Sequence, residues 1–171
     1  MNWDDKPTVR KGHIGEMLVL QWLESKGVIV YLPNTRAAHP FDKLCATPDK
    51  KTIFVAEVKT KPHRLYYPDT GINLGHYEDY SLIRNKYNLR VHIFFVDDNK
   101  GMVYGNWLDQ LEVPREVIHN EKTYQYPLKQ KDIIYFPLVA MNDICELPSE
   151  EVAKIKMAHQ GKYAYPLEQT A

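Results

Sequence analysis

The chain has 171 residues, enough for one domain with a sizeable core and too few for two ordinary ones. Its 22 basic and 22 acidic residues cancel, so attraction to a polyanion through a global field is excluded and only local clustering of charge is left. Cys45 and Cys145 show no Cys-x-x-Cys or Cys/His ligand spacing, which excludes a zinc or disulfide framework and fits buried apolar cysteines in a reducing, cytoplasmic setting. No leader-like apolar segment or membrane-length run is present, so a soluble protein with no membrane partner is expected.

In chain order, the apolar residues Ile14, Met17, Leu18, Leu20, Trp22 and Leu23 recur at helical spacing and predict an amphipathic helix over 8–26, stopped by Gly27. The β-branched and aromatic run 28–32 predicts a strand, broken by Pro33. Segments 41–46 and 52–60 predict an antiparallel hairpin around the turn at 47–51, where Pro48 and Asp49 favour chain reversal. A loop rich in Pro, Tyr and Gly is expected over 61–75, followed by a second helix carrying His76, Tyr80, Ile83 and Tyr87 on one stripe. Segment 90–96 predicts the next strand, and the turn 97–101 leads into another at 102–104. Beyond these, a short helix at 107–113, a strand at 133–138 and a charged helix opened by Ser149 are expected. These elements make one α/β domain over 1–171, with a core of about 8–104 and a C-terminal extension of about 105–171.

Chemistry concentrates on Glu57-Val58-Lys59, at the end of the apolar run that starts at Ile53. Alternation sends Val55, Glu57 and Lys59 to one face of this strand and Phe54, Ala56 and Val58 to the other, and both faces start apolar. Burying a carboxylate and an ammonium there costs several kcal/mol, on the order expected for unpaired ions, unless they pair or bind a cation. A lone Glu-x-Lys on a strand is ordinarily a surface or cross-strand pair worth under about 1 kcal/mol. Here it has company: Glu16 on the first helix and Asp42 at the start of the preceding strand. Three carboxylates and one amine suit a hard cation such as magnesium, with Asp42, Glu57 and the Val58 carbonyl as sufficient protein ligands and Glu16 as a further acid. Such a cation activates water and neutralises a phosphodiester, leaving Lys59 to position the water or stabilise the transition state.

The order helix-Glu16, strand-Asp42, hairpin, strand-Glu57-x-Lys59, helix resembles the PD-(D/E)XK nuclease superfamily, which includes restriction-endonuclease-like and Holliday-junction-resolvase-like members, over about residues 12–104. The resemblance implies a mixed central sheet flanked by helices and a magnesium-dependent DNA endonuclease, with manganese able to substitute. It also implies a metal held by Asp42, Glu57, Val58 and Glu16, and catalysis by Lys59. The family's Pro-Asp is spelled Pro40-Phe41-Asp42 here, whereas the literal Pro48-Asp49 falls in the expected turn and points to solvent. A Gln-x-x-x-Tyr motif found in some relatives corresponds to His76 and Tyr80. DNA, branched and single-stranded forms included, is the implied partner, and a symmetric homodimer the implied assembly. Lys61, His63, Arg64 and Lys11 form a basic set beside the site that suits phosphate contacts. Two other readings fit the same residues: a catalytically inactive nucleic-acid-binding or assembly module on this fold, and a nuclease acting on RNA. His92 is expected to be a satisfied core imidazole, and Tyr124, Tyr126, Tyr135 and Phe136 carry no assigned role.

Overall fold

A computed structural model describes residues 6–33 and 40–158; His39 and His159, expected at the surface, lie outside them. Helix α1 (Pro7–Ser25) has proline in its first turn and closes at Gly27, whose φ of 75° lets the Gly27 amide reach the Glu24 carbonyl and the Val28 amide reach that of Leu23. Strand β1 (Ile29–Tyr31) follows at once. The expected hairpin forms from β2 (Lys43–Ala46) and β3 (Ile53–Thr60), antiparallel from Lys43 opposite Ala56 to Ala46 opposite Ile53. Asp49 stabilises its turn, accepting from the Thr47 hydroxyl at 2.5 Å and the Lys51 amide at 3.1 Å, and stays exposed as the sequence predicts.

Helix α2 (Leu74–Tyr87) returns the chain to β5 (Arg90–Asp97), which lies parallel to β3 with Glu57 opposite Ile93 and Lys59 opposite Phe95. Strand β6 (Met102–Trp107) runs past the expected end at Tyr104 and is antiparallel to β5. With a last strand β11 (Asn142–Glu146), the principal sheet has the order β1-β2-β3-β5-β6-β11, all antiparallel except the central β3–β5 pair. Strand β11 comes from the extension, which also supplies the single-turn α3 (Leu108–Leu111) and α4 (Ser149–Ala158).

Two further differences from the sequence reading matter for the site. The expected loop 61–75 contains a strand, β4 (Asp69–Asn73), which pairs with β10 (Ile133–Pro137), itself flanked by β9 (Leu128–Gln130). Alternation is weak in Asp69-Thr-Gly-Ile-Asn73, so only its partner from sixty residues on makes it a strand. A hairpin of β7 (Arg115–His119) and β8 (Lys122–Tyr126) completes the extension; its polar residues hid it from a periodicity reading.

Apolar residues cover both faces of the principal sheet. Val55, Ile93 and Phe95 pack with Tyr80 and Ile83 of α2 and with Ile72, Ile134 and Phe136. Phe54, Ala56 and Val58 pack with Val19 and Leu23 of α1, Phe94, Val96 and Ile155 of α4. Each large side chain so buried contributes roughly 1.5–3 kcal/mol.

Candidate functional site

The hairpin register ends at Lys43 opposite Ala56, which sets Asp42 opposite Glu57. There the side chains replace the ladder. Asp42 Oδ2 accepts from the Val58 amide at 2.8 Å, and Glu57 Oε2 accepts from the Asp42 amide at 3.1 Å. The other Glu57 oxygen, Oε1, takes the Lys59 ammonium at 2.6 Å, with Glu57 only 3 % exposed. Lys59 reaches His76 Nδ1 at 3.3 Å and lies 5.7 Å from the centroid of the Tyr80 ring, so the two α2 residues expected near the site are there. Tyr80 is also core, at 2 % exposure.

Electrostatics follow from this crowding. Burial, then the neighbouring Asp42 charge, push the Glu57 carboxyl above its ordinary value, against the opposing pull of Lys59. Burial and Asp42 likewise raise Glu16, against Lys43, His13 and Lys59. Burial and the Lys59 charge lower His76, which keeps its imidazole neutral and able to accept from Lys59. The Tyr80 hydroxyl is pushed up by burial and by the Glu57 carboxylate beside it. Glu16 therefore shares the field of the acid pair. Among the described residues, however, no group of three His, Cys, Asp or Glu side chains is arranged to hold a metal ion, so Glu16 does not close a three-carboxylate cage with Asp42 and Glu57.

The basic set separates into different environments. Lys11 is 5 % exposed and pairs with Asp98 at 2.9 Å. Arg64 holds Asp69 through Nε and Nη2, both at 2.6 Å, bonds Gln130, and is sandwiched between Tyr67 and Tyr135 with its guanidinium carbon 3.8 and 3.6 Å from their centroids. Lys61 donates to the Gly71 carbonyl at 2.6 Å, and His63 Nδ1 lies 2.6 Å from Asp97 Oδ2.

Several residues central to this arrangement carried no signal in the sequence. Asp97 sits in what reads as a solvent turn, yet is fully buried and accepts from the His63 ring and amide, the Asn99 and Lys100 amides and the Tyr104 hydroxyl. Burial works against its charge, but these bonds hold its carboxyl below the usual value. Asp69, also fully buried, takes the Tyr126 hydroxyl at 2.6 Å besides Arg64. Tyr126 and Tyr135 of the unassigned aromatic set thus brace the segment after β3, Tyr124 packs on Tyr67, and Phe136 is core. Lys43 is buried at 2 % exposure on the α1 face, where its charge acts on Glu16. His92 is in the aromatic cluster of Phe94 and Trp107, but its Nδ1 has no hydrogen-bond partner; burial lowers it to about 4 and keeps it neutral, so it is a core imidazole that is not satisfied.

No family model matches this chain, and no curated protein matches it by sequence. Among solved structures it is similar to Hjc, a Holliday junction resolvase from the archaeal hyperthermophile Archaeoglobus fulgidus, at 11 % identity and a TM-score of 0.52, covering 82 % of this chain and 99 % of that one. The central mixed sheet, the flanking helices and this likeness together give the chain the restriction-endonuclease-like fold.

Proposed function

We propose that this protein is a divalent-metal-dependent nuclease that hydrolyses phosphodiester bonds in DNA, with Asp42, Glu57 and Lys59 as its catalytic residues. The observation that carries the reading is the meeting of two carboxylates and one ammonium where β2 and β3 exchange ladder bonds for side-chain bonds. The donor set fits a hard cation: Asp42 and Glu57 offer carboxylate oxygens, and the Asp42 charge raises the proton affinity of Glu57, a repulsion that a cation relieves. Asp42, Glu57 and the Val58 carbonyl would hold magnesium or manganese. Such an ion supplies a water of lowered pKa and neutralises charge on the phosphodiester.

The chain's own residues do the rest. Lys59 is held between the Glu57 carboxylate and the neutral His76 ring, so its ammonium is aimed rather than free to rotate. A donor fixed in this way stabilises charge developing on a phosphoryl oxygen without reorganising during the reaction. Tyr80, rigid in the core, sets the floor under Lys59. The relative with a similar structure is described as a Holliday junction resolvase, and branched DNA is accordingly the first substrate to try.

The test is cleavage of supercoiled, linear and four-way-junction DNA, and of RNA, with magnesium, manganese or chelator. Glu57→Ala and Lys59→Ala are each expected to lower the rate at least about 100-fold, the scale of removing one oriented transition-state donor. Cleavage by either variant at the wild-type rate removes the mechanism, and cleavage of RNA alone removes the substrate.

A further inference from the structure

Beyond the carbonyl ends of the parallel strands β3 and β5 the structure has a cleft of about 250 Å³, lined by Thr8 and Lys11 of α1, by Thr60 to Arg64, by Thr70 and Gly71 of β4, and by Tyr135. This is the end of a parallel pair where ligands enter open α/β sheets. The chain leaving β3 keeps bonding as β3 did: the Lys61 amide donates to the Val96 carbonyl at 3.0 Å and the His63 amide to Asp97 Oδ2 at 3.0 Å. Lys61 and His63 therefore follow directly on from β3, held against the end of β5 at Val96 and Asp97.

The charges around this cleft are matched except at one place. Lys11 is paired with Asp98 and Arg64 with Asp69, while the His63 ring is hydrogen-bonded to Asp97. The Lys61 ammonium has a neutral partner, the Gly71 carbonyl. Burial, followed by the facing charges of Lys59 and Arg64, lowers it to about 8, and Asp69, which opposes this, is committed to Arg64 and Tyr126. His63 is fixed through both its amide and Nδ1, which leaves Nε2 to meet a ligand. The first turn of α1, beside the cleft, carries no acidic residue.

We propose that this cleft is a backbone-phosphate subsite of the nuclease, holding through Lys61 and His63 the phosphate of the bound strand that neighbours the one at Asp42 and Glu57. The inference rests on the reading above, from which it takes the strand and its position. It fixes the path of that strand, along the extension of β3 and over the first turn of α1. Arg64 and Lys11 act in it as positioning residues, since their donors are already engaged by carboxylates.

Two measurements on the full chain test it. Inorganic phosphate titrated into the wild-type protein is expected to move the His63 imidazole nitrogen resonances saturably; no movement overturns the proposal and requires no variant. DNA binding in chelator, followed by anisotropy against salt concentration, is expected to lose about one unit of slope in log Kd against log salt for Lys61→Met, one cationic phosphate contact, and to weaken several-fold for His63→Gln. A Lys61→Met slope equal to wild type overturns it. DNA bound with the expected slope but not cut in magnesium or manganese leaves the subsite standing and removes the nuclease reading. Cleavage combined with an unchanged slope and no response to phosphate does the reverse.

Discussion

Glu57 is 3 % exposed, bonded through both oxygens, and still has its proton affinity raised, because burial outweighs the help from Lys59. A folded-state value above the unfolded one means that the native protein binds more protons than the unfolded chain between the two, so wild-type stability falls as pH rises through that interval. Glu57→Gln removes the titration and the buried charge. It is expected to abolish cleavage and to stabilise the protein at pH 7, because burial outweighs the Lys59 attraction for the charged form of Glu57. The gap should close as pH falls towards the ordinary carboxylate range. Thermal melts of both proteins from pH 4 to 8 check this, and a variant less stable than wild type at pH 7 would show that the Lys59 pair outweighs burial. The acid at this position is thus kept against its cost to folding.

At the scale of elements, the site depends on how closely α1 approaches β3. Gly15 makes that approach possible: a Cβ there would lie 1.9 Å from Thr60 Oγ1 and within 3.2 Å of two further Thr60 atoms. Gly15→Ala would gain about 1 kcal/mol of helix propensity. Overpacking should exceed it, giving a net loss of about 1–2 kcal/mol and moving Glu16 relative to Asp42. Adding Thr60→Ala should recover most of the loss. Denaturant melts of the two single variants and the double one measure the coupling, and additive effects would place the strain elsewhere. The sandwich of Tyr67, Arg64 and Tyr135 does comparable work for the segment after β3, tying it to β10.

For the molecule as a whole, the part bearing Asp42, Glu57 and Lys59 is not the part that completes the core. Strand β11 covers the edge of β6, and Ile155 of α4 is fully buried against the α1 side of the sheet. Removing residues 142–171 would bare that edge and the apolar surface of Val19, Val96 and Val103. Such a truncated chain is expected to lose its cooperative thermal transition and to aggregate, whereas the full chain melts in one step; circular dichroism and light scattering distinguish the two. A soluble, cooperatively melting fragment would make residues 1–141 an independent unit. Among the described residues no helix is long and apolar enough to cross a membrane.

The sequence by itself determined the helix α1, the β2–β3 hairpin, the strand β5 and the placing of Asp42, Glu57 and Lys59, because these rest on local periodicity, turn chemistry and charges set in an apolar run. His76 and Tyr80 were legible for the same reason, being four apart on one helix. Tertiary structure alone decided the features that have no such local signal. Asp97 reads as a turn residue until His63, thirty-four positions earlier, folds onto it. Asp69 reads as a loop residue until Arg64 and Tyr126 enclose it, and β4 is a strand because β10 pairs with it. These features draw their energy from partners distant in sequence, and a buried polar group is recognisable only once the groups that satisfy it are in place.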